Sequence, residues 1–147
     1  MQRQFNLKAI RQGVVALCCF GSVQIHAAPC TSQALQGAWQ LQSATYTDKD
    51  GKVVGRIRDG STLSRKLISG QYLAFHTWQP SGEFDVAASG VFRLEQGLYI
   101  EQLDTASKPS LVQKTYRFQC QLQDDAWLHS GDEDGIHIEE VWRKVSK

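Results

Sequence analysis

The sequence predicts an all-β protein, a single antiparallel up-and-down β-barrel. Two observations carry this expectation. Behind the N-terminal segment the chain is a series of short β-rich runs in which polar and apolar residues alternate with period two, and most of these runs are bounded by turns built on Gly, Asp or Pro. A meander in so short a chain removes its exposed edges by curling up on itself, with a two-sheet sandwich as the alternative.

Met1 to Ala28 has the layout of a secretory signal peptide. Arg3, Lys8 and Arg11 precede the apolar stretch Gly13 to Val23, and small Ala27 and Ala28 follow it. An apolar core of about ten residues is too short to span a bilayer. Cleavage is expected near Ala27 or Ala28, leaving one domain over residues 29–147 in the periplasm or the secreted fraction, with no stable membrane insertion. The remaining 119 residues suffice for one core and not for two. They carry 13 basic against 15 acidic side chains, so no nucleic-acid partner is implied. Cys18 and Cys19 leave with the leader. Cys30 and Cys120 remain, and two cysteines in an exported chain suggest one disulfide, two free thiols being the other reading. Their spacing does not suit a metal site.

The elements follow in order. In "QGAWQLQSATYT" (residues 36–47), Trp39, Leu41, Ser43 and Thr45 are expected on one face of a strand, with Gln40, Gln42 and Ala44 on the other. The acidic turns "DKDGK" (48–52) and "GDEDG" (131–135) invite a calcium reading. The first, however, lacks the closing Glu of an EF-hand loop, and Asp-Gly is ordinary hairpin chemistry. "DGSTLSRKLIS" (59–69) is the one candidate for a short helix, near residues 60–68, with Asp59 or Ser61 as its cap. "QYLAFHTW" (71–78) ends at "QPSGEF", and "GVFRLEQGLYIEQLD" (90–104) folds back at Glu95-Gln96-Gly97. "QKTYRFQCQLQ" (113–123) alternates most clearly, with Tyr116, Phe118, Cys120 and Leu122 on one face. "AWLHS" and "IHIEEVWRKV" complete the series.

No catalytic constellation emerges, and an enzyme is not expected. His76, His129 and His137 lack the supporting ligands that metal or haem would need, and read as surface or barrel-mouth side chains. "SGQY" and "PSGE" lack the strand-to-helix context of a nucleophile elbow. No cofactor or metal is called for.

Gly37-x-Trp39 on the first strand, together with Arg143 in the terminal "VWRK", resembles the signature of lipocalin-type barrels. The longer series "LQGAWQLQSATYTDKDGK", "KLISGQYLAF", "SGVFRLEQGLYIEQL" and "EEVWRKV" is similar to bacterial lipocalin-like domains, many of them of unknown function. The resemblance implies that Gly37, Trp39 and Arg143 are structural, with the Trp closing one barrel end and the Arg packed across it as a cation over an indole. It also implies an interior with room for packed side chains or one small ligand. On the closing strand the set Ile136, Ile138, Glu140 and Trp142 is expected to point inward. Tyr72, Phe92, Tyr99, Glu101, Tyr116, Phe118, Glu140 and Trp142 are the expected ligand-binding residues, and Trp39 and Trp78 complete an aromatic wall. Glu101 and Glu140 need partners if they are interior. The resulting expectation is a monomeric barrel that binds a small hydrophobic or amphipathic molecule. The alternative is a periplasmic or secreted interaction or inhibitor protein that acts through its loops, its barrel filled.

Overall fold

The computed structural model describes residues 28–58 and 60–145. The expected signal peptide lies outside them, apart from Ala28. The strands are β1 (Ala28–Pro29), β2 (Gly37–Thr47), β3 (Val53–Ile57), β4 (Leu63–Ser69), β5 (Tyr72–Trp78), β6 (Phe84–Glu95), β7 (Leu98–Ala106), β8 (Thr115–Gln123), β9 (Ala126–Glu133) and β10 (Ile136–Lys144). β2 and β4 to β10 form a closed antiparallel barrel of eight strands, each paired with its sequence neighbour in the set, and β10 returns to β2. β3 pairs with the second half of β2, and β1 lies against β8. Closure leaves the barrel wall without free edges.

The chain enters through the short helix α1 (Ser32–Leu35), whose N-terminus is capped by Thr31 Oγ1 accepting from the Ala34 N–H at 3.2 Å. Gly37 then takes φ +116°, a left-handed value that suits glycine, and turns the chain from the helix into β2. Trp39 follows with 1% exposure, and its Nε1 donates to Leu35 O at 2.8 Å. The Gly-x-Trp is therefore structural: the glycine sets the turn and the indole plugs the barrel end beneath α1. Cys30 and Cys120 form a disulfide, Cα atoms 5.7 Å apart, that ties the chain ahead of α1 to β8. Closing so long a loop is worth roughly 4 to 5 kcal/mol in the chain-entropy model.

Three local expectations are corrected. The segment near residues 60–68 is strand, not helix: Ser64, Lys66 and Ile68 are buried while Arg65, Leu67 and Ser69 are exposed. That period of two was hidden because the inward positions carry Ser and Lys and an outward one carries Leu. In β2 the pairing with β10 slips by one residue between Leu41 and Ser43, opposite Val141 and Trp142. Trp39 and Leu41 face in as expected, but beyond this bulge Ala44 is the buried residue, and Ser43 and Thr45 turn to the outer surface. On β5, Leu73 is the buried residue at 2% exposure and its neighbour Tyr72 stands 63% exposed on the outside. Tyr72 is thus no part of an interior wall. Trp78 shares its outward phase, stacked on His76 with ring centroids 4.7 Å apart.

Candidate ligand cavity

The end of the barrel near α1 is filled. Trp39, Trp127, Tyr99 and Phe118 are almost wholly buried, with Trp127 set edge-on to Trp39 and to Tyr99 at 5.5 and 5.1 Å between centroids. Phe92 stacks on Tyr99 at 5.2 Å. Phe92, Tyr99 and Phe118 are interior as expected, yet they pack below the cavity and do not line it.

Above this layer alternation delivers charge. β4 places Lys66 inward with its side chain only 4% exposed, and its Nζ donates to Glu101 Oε2 on β7 at 3.3 Å. The same ammonium lies over the rings of Trp142, Trp127, Tyr99 and Phe75 at 5.1 to 5.8 Å. A buried cation is costly unless paired, and here one carboxylate and four ring faces take the place of water. Glu140 and Trp142 on β10 follow in phase. Glu140 Oε2 accepts from Trp142 Nε1 at 2.8 Å and from His129 Nδ1 on β9 at 3.0 Å.

These contacts set the protonation states. Burial, with the Lys66 charge, lowers the pKa of His129 below its ordinary value. Burial alone would raise Glu140, but the bond from His129 and the charge that ring carries when protonated, then the charge of Lys66 and the bond from Trp142, outweigh it and lower its pKa. A neutral imidazole beside an ionised carboxylate must donate through Nδ1, which leaves His129 Nε2 as an acceptor. That Nε2 is buried with no hydrogen-bond partner, as are Tyr99 Oη and Trp127 Nε1. Burial and the Glu101 charge raise Tyr99 well above the usual tyrosine value.

One inward step beyond Gly131, β9 presents Glu133. Gly131 is required there, because a Cβ would stand 2.4 Å from Arg117 O and 2.7 Å from the Phe118 ring. Burial, then the charges of Glu101 and Glu140, push the Glu133 carboxyl up to about 7. Around it, Tyr46 is raised by burial and by Glu140, Glu133 and Asp85. Tyr116 is raised to about 12, by burial and then by Glu133. At the rim Tyr116 Oη donates to Asp134 Oδ2 at 3.3 Å, and Asp134 is held low by its bond from Lys114.

Between floor and rim lies a cavity of about 380 Å³, open at the end opposite α1. Lys66, Glu101, His129, Glu140 and Trp142 lie at its base. Leu41, Ile57, Phe75, Val86, Leu103, Leu111 and Ile138 supply apolar wall, and Tyr46, Asp85, Tyr116 and Glu133 stand towards the mouth. Of the residues expected to bind ligand, Glu101, Tyr116, Glu140 and Trp142 are brought together here. The expected packing of Arg143 on Trp39 is corrected. Arg143 has the outward phase and bonds Gln42 and Asp125, while Lys144, paired with Trp39 across the strands, holds its Nζ 5.1 Å from the indole. Lys66, His129 and Glu133 are site residues that the sequence reading missed. His129 is 3% exposed, and not the surface or mouth residue expected.

No family model matches the chain, and no curated protein matches its sequence. Two solved structures are similar in fold. A lipocalin-like protein from Bacteroides uniformis ATCC 8492 has 15% identity and a TM-score of 0.49 over 76% of this chain and 99% of its own. An uncharacterized protein from Bacteroides eggerthii DSM 20697 has 18% identity and a TM-score of 0.48 over 75% of this chain and 98% of its own. Likeness at this level adds nothing to what strand pairing establishes by itself: the chain folds as a closed, eight-stranded, antiparallel up-and-down barrel.

Proposed function

We propose that this barrel is an exported binding protein that takes one small amphipathic molecule into its open half. The observation that carries the reading is the cavity: about 380 Å³, open at one end, with apolar walls above a charged base. This combination of apolar lining with a few fixed polar groups is the usual character of small-ligand sites. Export is supported by the Cys30–Cys120 disulfide, which fits an oxidising compartment, and by the leader-like composition of the first 28 residues.

The test uses the disulfide-intact protein lacking its leader. Amphiphiles with alkyl, isoprenoid and aromatic bodies are screened by thermal shift and by indole emission, since Trp142 lines the cavity. A ligand at 100 times its dissociation constant stabilises by about 2.7 kcal/mol. Trp142→Ala is expected to weaken binding by removing apolar contact and by freeing one bond to Glu140. If no amphiphile moves either signal, the interior-binding reading falls, and action through loops without a ligand takes its place.

A further inference from the structure

The charges around the cavity do not balance. Lys66 is the one cation on its wall among the described residues, and it is already engaged by Glu101 and by the aromatic rings around it. Glu140 is ionised and accepts only from two neutral groups, His129 and Trp142. Glu133 lines the same cavity, and no side-chain hydrogen bond reaches it among the described residues. A second, independent observation lies on the same strand. His129 also lines the cavity, with its side chain 2% exposed and its Nδ1 committed to Glu140, and its unpartnered Nε2 is fixed as an acceptor. What the cavity lining is short of is positive charge.

We propose that the ligand's polar end is an organic cation, an ammonium carried on an apolar body, which docks against Glu133 above the Lys66–Glu101 and His129–Glu140 pairs. The inference rests on the interior-binding reading and deepens it by naming the ligand class. An ammonium neutralises Glu133 and supplies donors to the acceptors, while the apolar walls take the body. A carboxylate head would instead meet Glu101, Glu133 and Glu140 with Lys66 already paired, and a neutral head would leave the excess negative charge unanswered.

Proton linkage gives the idea a signature of its own. The charged and titratable groups facing Glu133 are Glu101 on β7, Glu140 on β10, Lys66 on β4, Asp134 in the β9–β10 turn, Tyr46 on β2 and Tyr116 on β8. At pH 7 the free protein holds about half a proton on Glu133, its carboxyl lying at about 7. A docked ammonium favours the carboxylate, so binding releases that proton and affinity rises between pH 6 and 8.

The experiment is calorimetric titration of the disulfide-intact protein with three probes that share one tail, octylammonium, octanol and octanoate, in phosphate and in Tris at pH 7. Octylammonium is expected to bind about tenfold or more tightly than octanol, with octanoate weakest. Its binding heat should differ between the buffers because a proton is released. Glu133→Gln should abolish that difference and most of the ammonium preference, while octanol affinity stays unchanged. Octanol or octanoate binding as tightly as the ammonium overturns the cation assignment and leaves interior binding standing. Equal heats in the two buffers overturn the assignment of Glu133. If none of the three binds while the wider screen succeeds, the cation class alone is wrong; if that screen also fails, interior binding falls with it.

Discussion

The two halves of this barrel are built by the same alternation of side chains and differ in what the inward positions carry. Towards α1 the inward residues are Trp39, Trp127, Tyr99 and Phe118, large rings in edge and tilted contact that leave no space. Towards the mouth they are Lys66, Glu101, His129, Glu133 and Glu140, with smaller apolar residues between. The filled half holds the cylinder closed, and so the open half can keep a cavity and unneutralised charge that a core could not tolerate. Division of labour within one sheet, and not between sheet and loops, is the lesson of the contrast.

The largest expected effect tests the filled half. Trp39→Ala removes a ring that is 1% exposed and its bond to Leu35, and is expected to cost about 3 to 5 kcal/mol. Leu111→Ala, at the cavity, is expected to cost about 1 kcal/mol or less, because it borders space that is already open. Equal losses in urea unfolding would break the contrast.

Next comes the boundary between the halves. Lys66→Met strands the Glu101 carboxylate in a site only 3% exposed and is expected to cost about 3 kcal/mol or more. Lys66→Met with Glu101→Leu should recover most of that loss, since a well-packed apolar pair replaces a buried ion pair at little cost. A single variant that melts like wild type would show that the pair is solvated and that the cavity reaches deeper.

A smaller, pH-dependent effect reports on Glu133. Its folded value of about 7 stands above the ordinary 4.5, so the folded state binds the proton more tightly than the unfolded one. The stability from this protonation is full below 4.5 and is lost as pH rises through about 7. Relative to Glu133→Gln, wild type should lose about 1 kcal/mol over that window, the partly exposed position having been allowed for. Parallel pH profiles of the two proteins would deny the strained carboxylate.

The smallest effect separates two neighbours at the closing strand. Arg143→Ala is expected to cost about 0.5 kcal/mol or less and to add to Trp39→Ala, whereas Lys144→Ala should be non-additive with Trp39→Ala by about 0.5 kcal/mol. The reverse pattern in double-mutant cycles would restore Arg143 to the indole.

The class of fold was legible because alternation and turn residues record which side of a sheet each position faces. The inward set of β10 and the burial of Glu101 were read the same way, whereas the pairing of the last two cysteines was read from their number in an exported chain. What escaped has particular causes. The β2 bulge after Leu41 inverts the pattern without leaving a mark in the residues, which displaced Ser43 and Thr45. Lys66 and His129 were missed because an inward polar side chain looks like surface until its partner on another strand is known, and Glu101 and Glu140 lie 35 and 11 residues away. Tyr72 misled because aromatic character says nothing of phase, and its neighbour Leu73 took the interior position.

The disulfide also has a consequence for the order of biogenesis. Cys30 precedes nearly all of the barrel and Cys120 follows it by 90 residues. In a chain delivered N-terminus first into an oxidising compartment, the earlier thiol emerges and waits while five of the eight wall strands follow it, and the sixth, β8, brings Cys120. Within residues 29–147 no other cysteine competes for it. The crosslink can therefore form only once six of the eight wall strands have emerged, with β9 and β10 still to close the cylinder, and it staples a meander already largely delivered instead of guiding its first pairings.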